Sequence, residues 1–354
     1  MKEKKLRNSS VELLRILCVL GIIAQHYVHH GGYDDVFFTA TSPNVIYLKT
    51  IRMFGYSACT VFALITGYYM IDADTEHHYY RKIFDLALMS LIYSLLSGAI
   101  LIGGGFKSYS LIELFQMFFP YFYGNWYVVF YIVILFLAPY LNKALKSLGQ
   151  KDYQKLTVTL FVLFIVIQNV FGNIYKTGDL DFMLNAYIFG AYYKLYHVNW
   201  LIKDIDKTIW IFVLCFIITV FSVFVMDFLG LKTGISQFIK YDYLLMSSRN
   251  IVAFIMSVSI FIYAVNKEFY NNFINILASS VLGVYLIHDG PLKIIIWEYV
   301  YPNSMYATTP YIHCLIKIPS VFLACALIDL LRQKTIGKVM PKLYDKIGSR
   351  FEWF

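Results

Sequence analysis

Charged residues are scarce in this chain of 354 residues, since only 15% are Asp, Glu, Lys or Arg and 59% are hydrophobic. The mean hydropathy is +0.61. Soluble domains contain roughly 45–50% apolar residues, and a water-soluble fold could not bury the excess found here. Apolar runs such as 160–170 and 209–221 are continuous and do not alternate, which argues against a membrane β-barrel. The composition therefore predicts an all-α polytopic bundle of transmembrane helices.

Paired cysteines, internal repeats and a G-x-S-x-G motif are also absent from the sequence. The cysteines stand singly in apolar runs, so they indicate neither a zinc site nor a redox pair. Without G-x-S-x-G, no serine nucleophile is indicated. The basic N-terminus lacks a small-residue cleavage site, so we expect its apolar run to be retained as a span. We predict a single integral membrane domain over 1–354, with short cytoplasmic N- and C-terminal tails.

Apolar stretches of sufficient length predict about ten membrane crossings. They cover residues 11–29, 53–71, 83–102, 124–142, 155–172, 182–197, 208–229, 249–265, 278–299 and 310–331. A shorter apolar and aromatic stretch at 110–123 suits a helix that lies at the outer interface and covers a cavity mouth.

The basic residues are distributed unevenly over the loops between these spans. With the N-terminus in the cytoplasm, roughly twenty basic residues face inside and about eight face outside. Both termini are therefore expected to be cytoplasmic in a multi-pass protein of the plasma membrane. The formal net charge of +8 does not indicate nucleic-acid binding, because the basic residues cluster at span ends and no soluble domain is available.

Two ionisable residues stand out within the first predicted span. Arg15 and His26 are eleven residues apart. At about 100° and 1.5 Å per residue they fall within roughly 20° of one helix face and about 16 Å apart along the axis. In this topology Arg15 lies near the cytoplasmic mouth and His26 near the outer surface. A charge inside a span is costly, so each marks either a paired structural group or a functional path.

Two interpretations of this pair remain open. In the first, Arg15 extends to the cytoplasmic headgroups and His26 is an interfacial residue beside His29 and His30. In the second, Arg15 binds an anionic donor such as a phosphorylated cofactor, and His26 is the general base at the far end of the path. Histidine suits that role because imidazole exchanges a proton near neutral pH.

A metal site at these histidines is a further alternative. His26, His29 and His30 have helical ligand spacing, and Asp34 and Asp35 lie just beyond. We predict no metal, because a chain turn is expected to interrupt the set and no other recognisable ligands are present. The acidic pair is a candidate for orienting a histidine.

The residues around Arg15 and His26 resemble the start of the membrane-bound acyltransferase-3 family, whose first helix carries R-x10-H. The segment 7–15 (RNSSVELLR) followed by His26 matches this pattern. Four further stretches resemble the family in the expected order. They are 62–68 (FALITGY), 125–127 (NWY), 138–142 (APYLN) and 282–288 (LGVYLIH). Together these stretches are spread along nearly the whole chain, from residue 7 to residue 288.

The resemblance implies transfer of an acyl group, usually acetyl from cytoplasmic acetyl-CoA, to an extracytoplasmic cell-surface glycan or lipid-linked sugar. It also implies that Arg15 and His26 are the essential residues. Many members have R-x-x-R after the second span, whereas Arg81 is followed at that spacing by Phe84. Arg81, aided by Lys82, is therefore a weaker candidate for contacting the donor. Basic groups at the cytoplasmic mouth suit acetyl-CoA because it is highly anionic.

Three residues are candidates for binding the acceptor. Trp126 and Tyr127 open the fourth predicted span at the outer face, where they either stack on a sugar ring or belong to the aromatic belt of the interface. His288 lies near the outer end of the ninth span, where it either lines a cavity or satisfies a local turn.

The sequence is compatible with three functions. The leading hypothesis is an O-acyltransferase that uses acyl-CoA, acts on a cell-surface polysaccharide and resides in the lipid bilayer. The alternative is a transporter or flippase for a glycan precursor, which would need similar buried basic groups. Such transporters usually contain paired repeats, and the sequence has none. The third possibility, a purely structural membrane protein, would not need the Arg15 and His26 pair.

Overall fold

The protein is described by a computed structural model that covers residues 7–33, 42–73, 76–118, 125–171, 178–197, 204–239, 250–300 and 309–348. These residues form helices joined by turns and loops, and no strand occurs among them. The all-helical prediction is confirmed.

The helices are numbered in chain order. The first half of the chain contains α1 (Ser9–His29), α2 (Pro43–Met70), α3 (Glu76–Gly103), α4 (Leu111–Phe118), α5 (Trp126–Ser147), α6 (Gln150–Phe161) and α7 (Gln168–Phe171). A π-helical segment, Val162–Ile167, joins α6 to α7. The second half contains α8 (Asp179–Tyr196), α9 (Asp206–Thr233), α10 (Ser236–Ile239), α11 (Ile251–Asn266), α12 (Asn272–Ala278), α13 (Val281–His288), α14 (Pro310–Lys334) and α15 (Met340–Gly348).

Seven helices in the described part of the chain are long and apolar enough to cross a membrane. They are Ser9–His29, Pro43–Met70, His78–Gly103, Trp126–Ser147, Gln150–Phe171, Asp206–Thr233 and Pro310–Lys334. A bundle of membrane-spanning helices is therefore supported, while the number of ten is not confirmed.

The three remaining predicted spans coincide with helices that fall short of these criteria. The span 182–197 is part of α8, which carries three charged residues. The span 249–265 corresponds to α11, whose 16 residues are fewer than the roughly 20 that cross the hydrocarbon core. The span 278–299 is interrupted, because α13 ends at His288 before Gly290 and Pro291, and a π-helical turn follows at Ile295–Tyr299.

The predicted interfacial helix at 110–123 is confirmed as a helix over Leu111–Phe118. Leu111, Ile112 and Phe115 are exposed on it, as expected for an apolar face turned towards lipid. Residues 119–123 of the prediction lie outside the described residues.

The described residues divide into two compact units. Unit 1 lies within 1–70, 149–278 and 303–318, and unit 2 lies within 71–148, 279–302 and 319–354. Arg15 and His26 belong to unit 1. The other predicted site residues, Arg81, Lys82, Trp126, Tyr127 and His288, belong to unit 2.

In unit 1, α2 packs against α1, α8, α9 and α11. Two glycines set the contact between α2 and α8. A Cβ at Gly67 would overlap the backbone carbonyl of Tyr187, and a Cβ at Gly190 would overlap that of Leu64. The two helix backbones therefore touch, as small residues allow in membrane helix pairs.

A buried ion pair joins α2 to α9 in unit 1. Lys49 Nζ lies 2.7 Å from Asp227 Oδ1, and the two side chains are 3% and 2% exposed. Lys49 Nζ also donates a hydrogen bond to the carbonyl oxygen of Ile239 (2.9 Å). A charge removed from water in this way is tolerated because it is paired and hydrogen-bonded.

The outer surface of α9 is apolar along its length. Large exposed side chains recur every three or four residues, at Trp210, Leu214, Ile217, Phe221, Phe224, Phe228 and Leu231. This stripe is the surface expected of a helix that faces lipid.

In unit 2, α3 packs against α4, α5, α13 and α15. A fully buried carboxylate, Asp329, is held at the C-terminal part of α14. It accepts hydrogen bonds from Arg332 Nε (2.7 Å), Gln333 Nε2 (2.7 Å) and the hydroxyl of Tyr93 (2.5 Å). These bonds satisfy the carboxylate and fasten α14 to α3.

Candidate functional site

Arg15 and His26 lie on one continuous helix, α1. The helical period therefore places them on the same face, about 16 Å apart along the axis, as the sequence predicted. Both residues are partly exposed, whereas most of the residues around them on α1 are buried. The face that carries them is thus accessible from outside the protein core.

Arg15 is paired with an acidic residue that the sequence prediction did not include. Arg15 Nη1 donates a hydrogen bond to Glu12 Oε2 at 2.8 Å, and the two side chains are 29% and 13% exposed. The signal was present in the sequence, since residues three apart on a helix are neighbours on its surface. Glu12 therefore holds one edge of the guanidinium, which has five N–H donors in all.

The N-terminus of α1 is anchored to the segment before α12 in unit 1. The backbone N–H of Ser9 donates to the carbonyl of Phe269 (2.9 Å), and the Ser9 hydroxyl donates to Asn275 Oδ1 (2.9 Å). The side chain of Asn8 caps the first turn of the helix. These bonds fix the position of the first turn of α1. They therefore also fix the position of Arg15, which lies less than two turns further along the helix.

The other end of α1 is anchored by Tyr27, which is fully buried. Its hydroxyl lies 2.9 Å from His313 Nδ1 and 3.4 Å from the hydroxyl of Tyr33. The neighbouring residue His26 is consequently held on a helix that cannot rotate freely at this end.

His26 lies in a group of imidazole rings. The ring centroids of His26 and His30 are 5.0 Å apart, as are those of His29 and His30. The helix includes His29, and a turn follows at 30–32. His29 is exposed and His30 is partly exposed. Asp34 and Asp35, the acidic pair considered with them, lie outside the described residues.

Arg81 and Lys82 lie in the second turn of α3 in unit 2 and contact aromatic rings. The guanidinium of Arg81 lies 5.9 Å from the centroid of the Tyr344 ring, and Lys82 Nζ lies 5.9 Å from that of Tyr131. Phe84, which stands where many family members have a second arginine, packs edge-on against Tyr344 at 5.3 Å. An aromatic contact therefore replaces a basic group at this position.

A chain of aromatic contacts brings Tyr127 and His288 together within unit 2. The ring of Tyr285 lies 6.2 Å from each of them. Tyr127 also lies 6.2 Å from Tyr131, the ring beneath Lys82. Tyr131 and Tyr285 were not predicted as site residues. Both were detectable from helical spacing, since Tyr131 follows Tyr127 by four residues and Tyr285 precedes His288 by three. The contact between Tyr285 and Tyr127 was not detectable in this way. Trp126 contacts Tyr127 at 5.8 Å but is 39% exposed.

His288 is fully buried at the end of α13. Its Nδ1 lies 2.6 Å from the carbonyl oxygen of Val284. A carbonyl oxygen can only accept, so Nδ1 is the donor of this bond. The carbonyl oxygen of His288 accepts a bond from Trp297 Nε1 (3.3 Å). His288 thus bonds to its own helix and does not line the cavity described below, and its role in acceptor binding stays a prediction.

A cavity of about 220 Å³ lies in unit 2 beside the predicted acceptor residues. Its walls come from α3, α4, the loop between them, Asn125 and the segment 286–294. Asn125 directly precedes Trp126, and Leu286 and Asp289 flank His288. The neighbours of the predicted residues line the cavity, while Trp126, Tyr127 and His288 do not. We call it the α3–α4 cavity.

Comparison with known proteins adds one finding. A family model described as an acyltransferase domain matches residues 8–330 of the chain. Neither a curated protein nor a solved structure matches the chain.

Proposed function

The chain belongs to the acyltransferase-3 family, and from this membership we propose that it is an O-acyltransferase with a defined donor and acceptor. That it is a membrane acyltransferase follows from the family and the apolar helices. In our proposal, it transfers acetyl from cytoplasmic acetyl-CoA to a hydroxyl of an extracytoplasmic cell-surface polysaccharide or of its lipid-linked precursor. We place it in the plasma membrane with both termini in the cytoplasm.

The position of Arg15 and His26 on one face of α1 is the observation that carries this proposal. The family pattern requires an arginine and a histidine at this spacing, and both residues are partly exposed on a helix anchored at each end. They are separated by about 16 Å along the helix axis. In our proposal Arg15 therefore lies at the donor end of a path and His26 at its acceptor end.

Arg15 is the proposed contact for the anionic part of the donor. A guanidinium presents a planar fork of N–H groups that binds two phosphate oxygens at once. Glu12 holds one edge of that fork at 2.8 Å. Arg81 and Lys82 add positive charge for the donor, although their side chains already contact Tyr344 and Tyr131.

His26 is the proposed general base. Its neutral imidazole takes the proton from the acceptor hydroxyl, and the oxygen attacks the thioester carbonyl. The C–S bond then breaks, and the leaving thiolate of CoA takes the proton back from the imidazolium. Atoms and charges balance without a covalent enzyme intermediate. Holding donor and acceptor together on the protein makes the attack effectively unimolecular.

Trp126, Tyr127 and His288 are the proposed acceptor contacts. The exposed indole of Trp126 is available for stacking on a sugar ring. His288 is buried and bonded to its own helix, so in our proposal it acts by positioning the Tyr285 ring, which contacts Tyr127.

The test is the acetate content of the surface polysaccharide in cells with and without the gene, together with His26→Gln. Glutamine keeps much of the size and hydrogen-bonding capacity of histidine but cannot take a proton near neutral pH. We expect acetylation to fall by roughly 10²–10⁴-fold, the usual contribution of general base catalysis. His29→Gln is the matched control, because His29 is an exposed neighbour on the same turn, and it should cost much less.

Acetate is compared at equal amounts of membrane-inserted protein. Unchanged acetate in cells without the gene would overturn the proposed reaction. Near-normal acetylation by His26→Gln would overturn the role of His26 and leave the reaction standing.

A further inference from the structure

The α3–α4 cavity is lined by buried polar atoms that no group in the described part of the chain satisfies. Ser90 and Asn125 line it, and they are 0% and 6% exposed. Ser90 Oγ and Asn125 Oδ1 have no hydrogen-bond partner among the described residues. A buried polar atom without a partner costs roughly 1–3 kcal/mol, so these atoms indicate a ligand or water that bonds to them.

Two charged residues of the lining form an ion pair. Lys107 Nζ lies 3.0 Å from Glu113 Oε1, and the two side chains are 38% and 37% exposed. Ser90 and Asn125, in contrast, are buried. The lining therefore has a partly exposed charged part, which we call the rim, and a buried neutral polar part, which we call the floor.

The charges around the cavity cancel. Lys107 is balanced by Glu113, and the second lysine of the lining, Lys293, stands four residues after the second acid, Asp289. The lining thus carries two positive and two negative side chains. This balance favours an uncharged ligand over a uronic acid or a phosphate, either of which would need an excess of positive charge.

The wall contributed by α4 is held firmly in place. Glu113 accepts hydrogen bonds from the backbone N–H and the hydroxyl of Ser110, each at 2.9 Å. The Ser110 N–H, and then Lys107, lower the pKa of Glu113 to about 2. A Cβ at Gly98 would overlap Met117, so α4 packs directly on α3. The cavity is therefore a built site and not a gap beneath a loose segment.

We propose that the α3–α4 cavity binds one uncharged sugar ring of the acceptor. Its volume of about 220 Å³ is below the roughly 300–1,000 Å³ of sites for drug-sized ligands, which suits a single ring. Sugar hydroxyls can both donate to Asn125 Oδ1 and bond with Ser90 Oγ, while Leu286 and Met117 offer apolar contacts to ring C–H groups. An acyl chain would leave the floor atoms unsatisfied. This inference rests on the proposed function, since it names the class of acceptor.

The test measures sugar binding by the full-length protein in lipid nanodiscs, using saturation-transfer NMR titrations. The probes are methyl β-D-glucopyranoside, methyl β-D-galactopyranoside and D-glucuronate. We expect at least one glycoside to bind and glucuronate to bind more weakly. Ser90→Ala and Asn125→Ala should each raise the Kd of that glycoside about three- to tenfold, the value of one net hydrogen bond.

Ser97→Ala is the matched control. Ser97 is a buried serine on α3, two helical turns from Ser90, and its Oγ likewise has no partner among the described residues. It does not line the cavity, so its replacement should leave the Kd within about twofold. Thermal unfolding of each purified variant shows that it is folded.

The outcomes separate this inference from the proposed reaction. Binding of neither glycoside, tighter binding of glucuronate, or equal Kd values for Ser90→Ala, Asn125→Ala and Ser97→Ala would each overturn the cavity assignment, even if acetylation depends on the gene. Unchanged acetate in cells without the gene would overturn the proposed reaction instead, and with it the description of the bound sugar as an acceptor.

Discussion

Replacing Gly67 by alanine tests the direct contact between the backbones of α2 and α8. The added methyl group would overlap the carbonyl oxygen of Tyr187. That oxygen belongs to a helix backbone, so it cannot turn aside as a side chain would, and the two helices must move apart. Overpacking of this kind costs about 1–3 kcal/mol. Alanine is also about 1 kcal/mol better than glycine within a helix, so the observed loss is reduced by that gain.

We expect Gly67→Ala to lower the free energy of unfolding by about 1 kcal/mol after this gain is subtracted, which is roughly a fivefold change in the ratio of folded to unfolded protein. Gly190→Ala should cost about the same, because its methyl would overlap the Leu64 carbonyl. The double variant should cost less than the sum of the two, since one widened gap accommodates both methyl groups.

The assay is reversible unfolding in mixed micelles with increasing SDS. Gly103→Ala is the control, because a Cβ at that helical glycine meets nothing within 4 Å; it should be neutral or slightly stabilising. Gly67→Ala that is as stable as Gly103→Ala would refute the close approach of the two helices.

Three further predictions concern the donor, pH and topology. Arg15→Ala should raise the KM for acetyl-CoA roughly 10- to 100-fold, the worth of a charged hydrogen bond, and Arg15→Lys should raise it less; equal KM values in both variants and wild type would contradict donor binding. Glu113, held at a pKa of about 2 by the Ser110 N–H and Lys107, should stabilise the start of α4 above about pH 4.5 and lose that effect as the pH falls towards 2. The hydrogen-exchange protection factors of α4, which are corrected for the intrinsic pH dependence of exchange, should therefore fall with pH over this range in wild type and stay constant in Glu113→Gln. A reporter fused at Gly104 should lie outside and one at the C-terminus inside; the reverse at either position would contradict the predicted topology.

The sequence predicted helices well wherever an apolar run is continuous. The first span was expected at 11–29, and α1 is Ser9–His29. The second was expected at 53–71, yet α2 begins ten residues earlier, at Pro43. Lys49 and Arg52 lower the local hydropathy there. The charge of Lys49 is compensated by Asp227, a residue 178 positions later, and such a distant partner leaves no local signal.

In the candidate site, too, features within one helix were predictable from the sequence, whereas contacts between helices were not. The shared face of Arg15 and His26 follows from the helical period alone, and Glu12 was detectable from its spacing to Arg15. The approach of Tyr285 to Tyr127 joins separate helices, and the cavity floor joins Ser90 on α3 to Asn125 at the start of α5. Neither follows from sequence spacing, because both depend on how helices pack.

The ion pair between Lys49 and Asp227 has a consequence for how the protein is made. A ribosome adds roughly 5–20 residues per second, so the 178 residues between the partners take about 10–35 s to synthesise. During that interval α2 has entered the bilayer with an ammonium group whose carboxylate does not yet exist. Until Asp227 is made, the long lysine side chain can extend towards the headgroups. When α9 inserts, the ammonium group can pair with Asp227 inside the protein. A stalled or truncated chain that ends before residue 227 would keep this lysine unneutralised and thereby expose itself to membrane quality control.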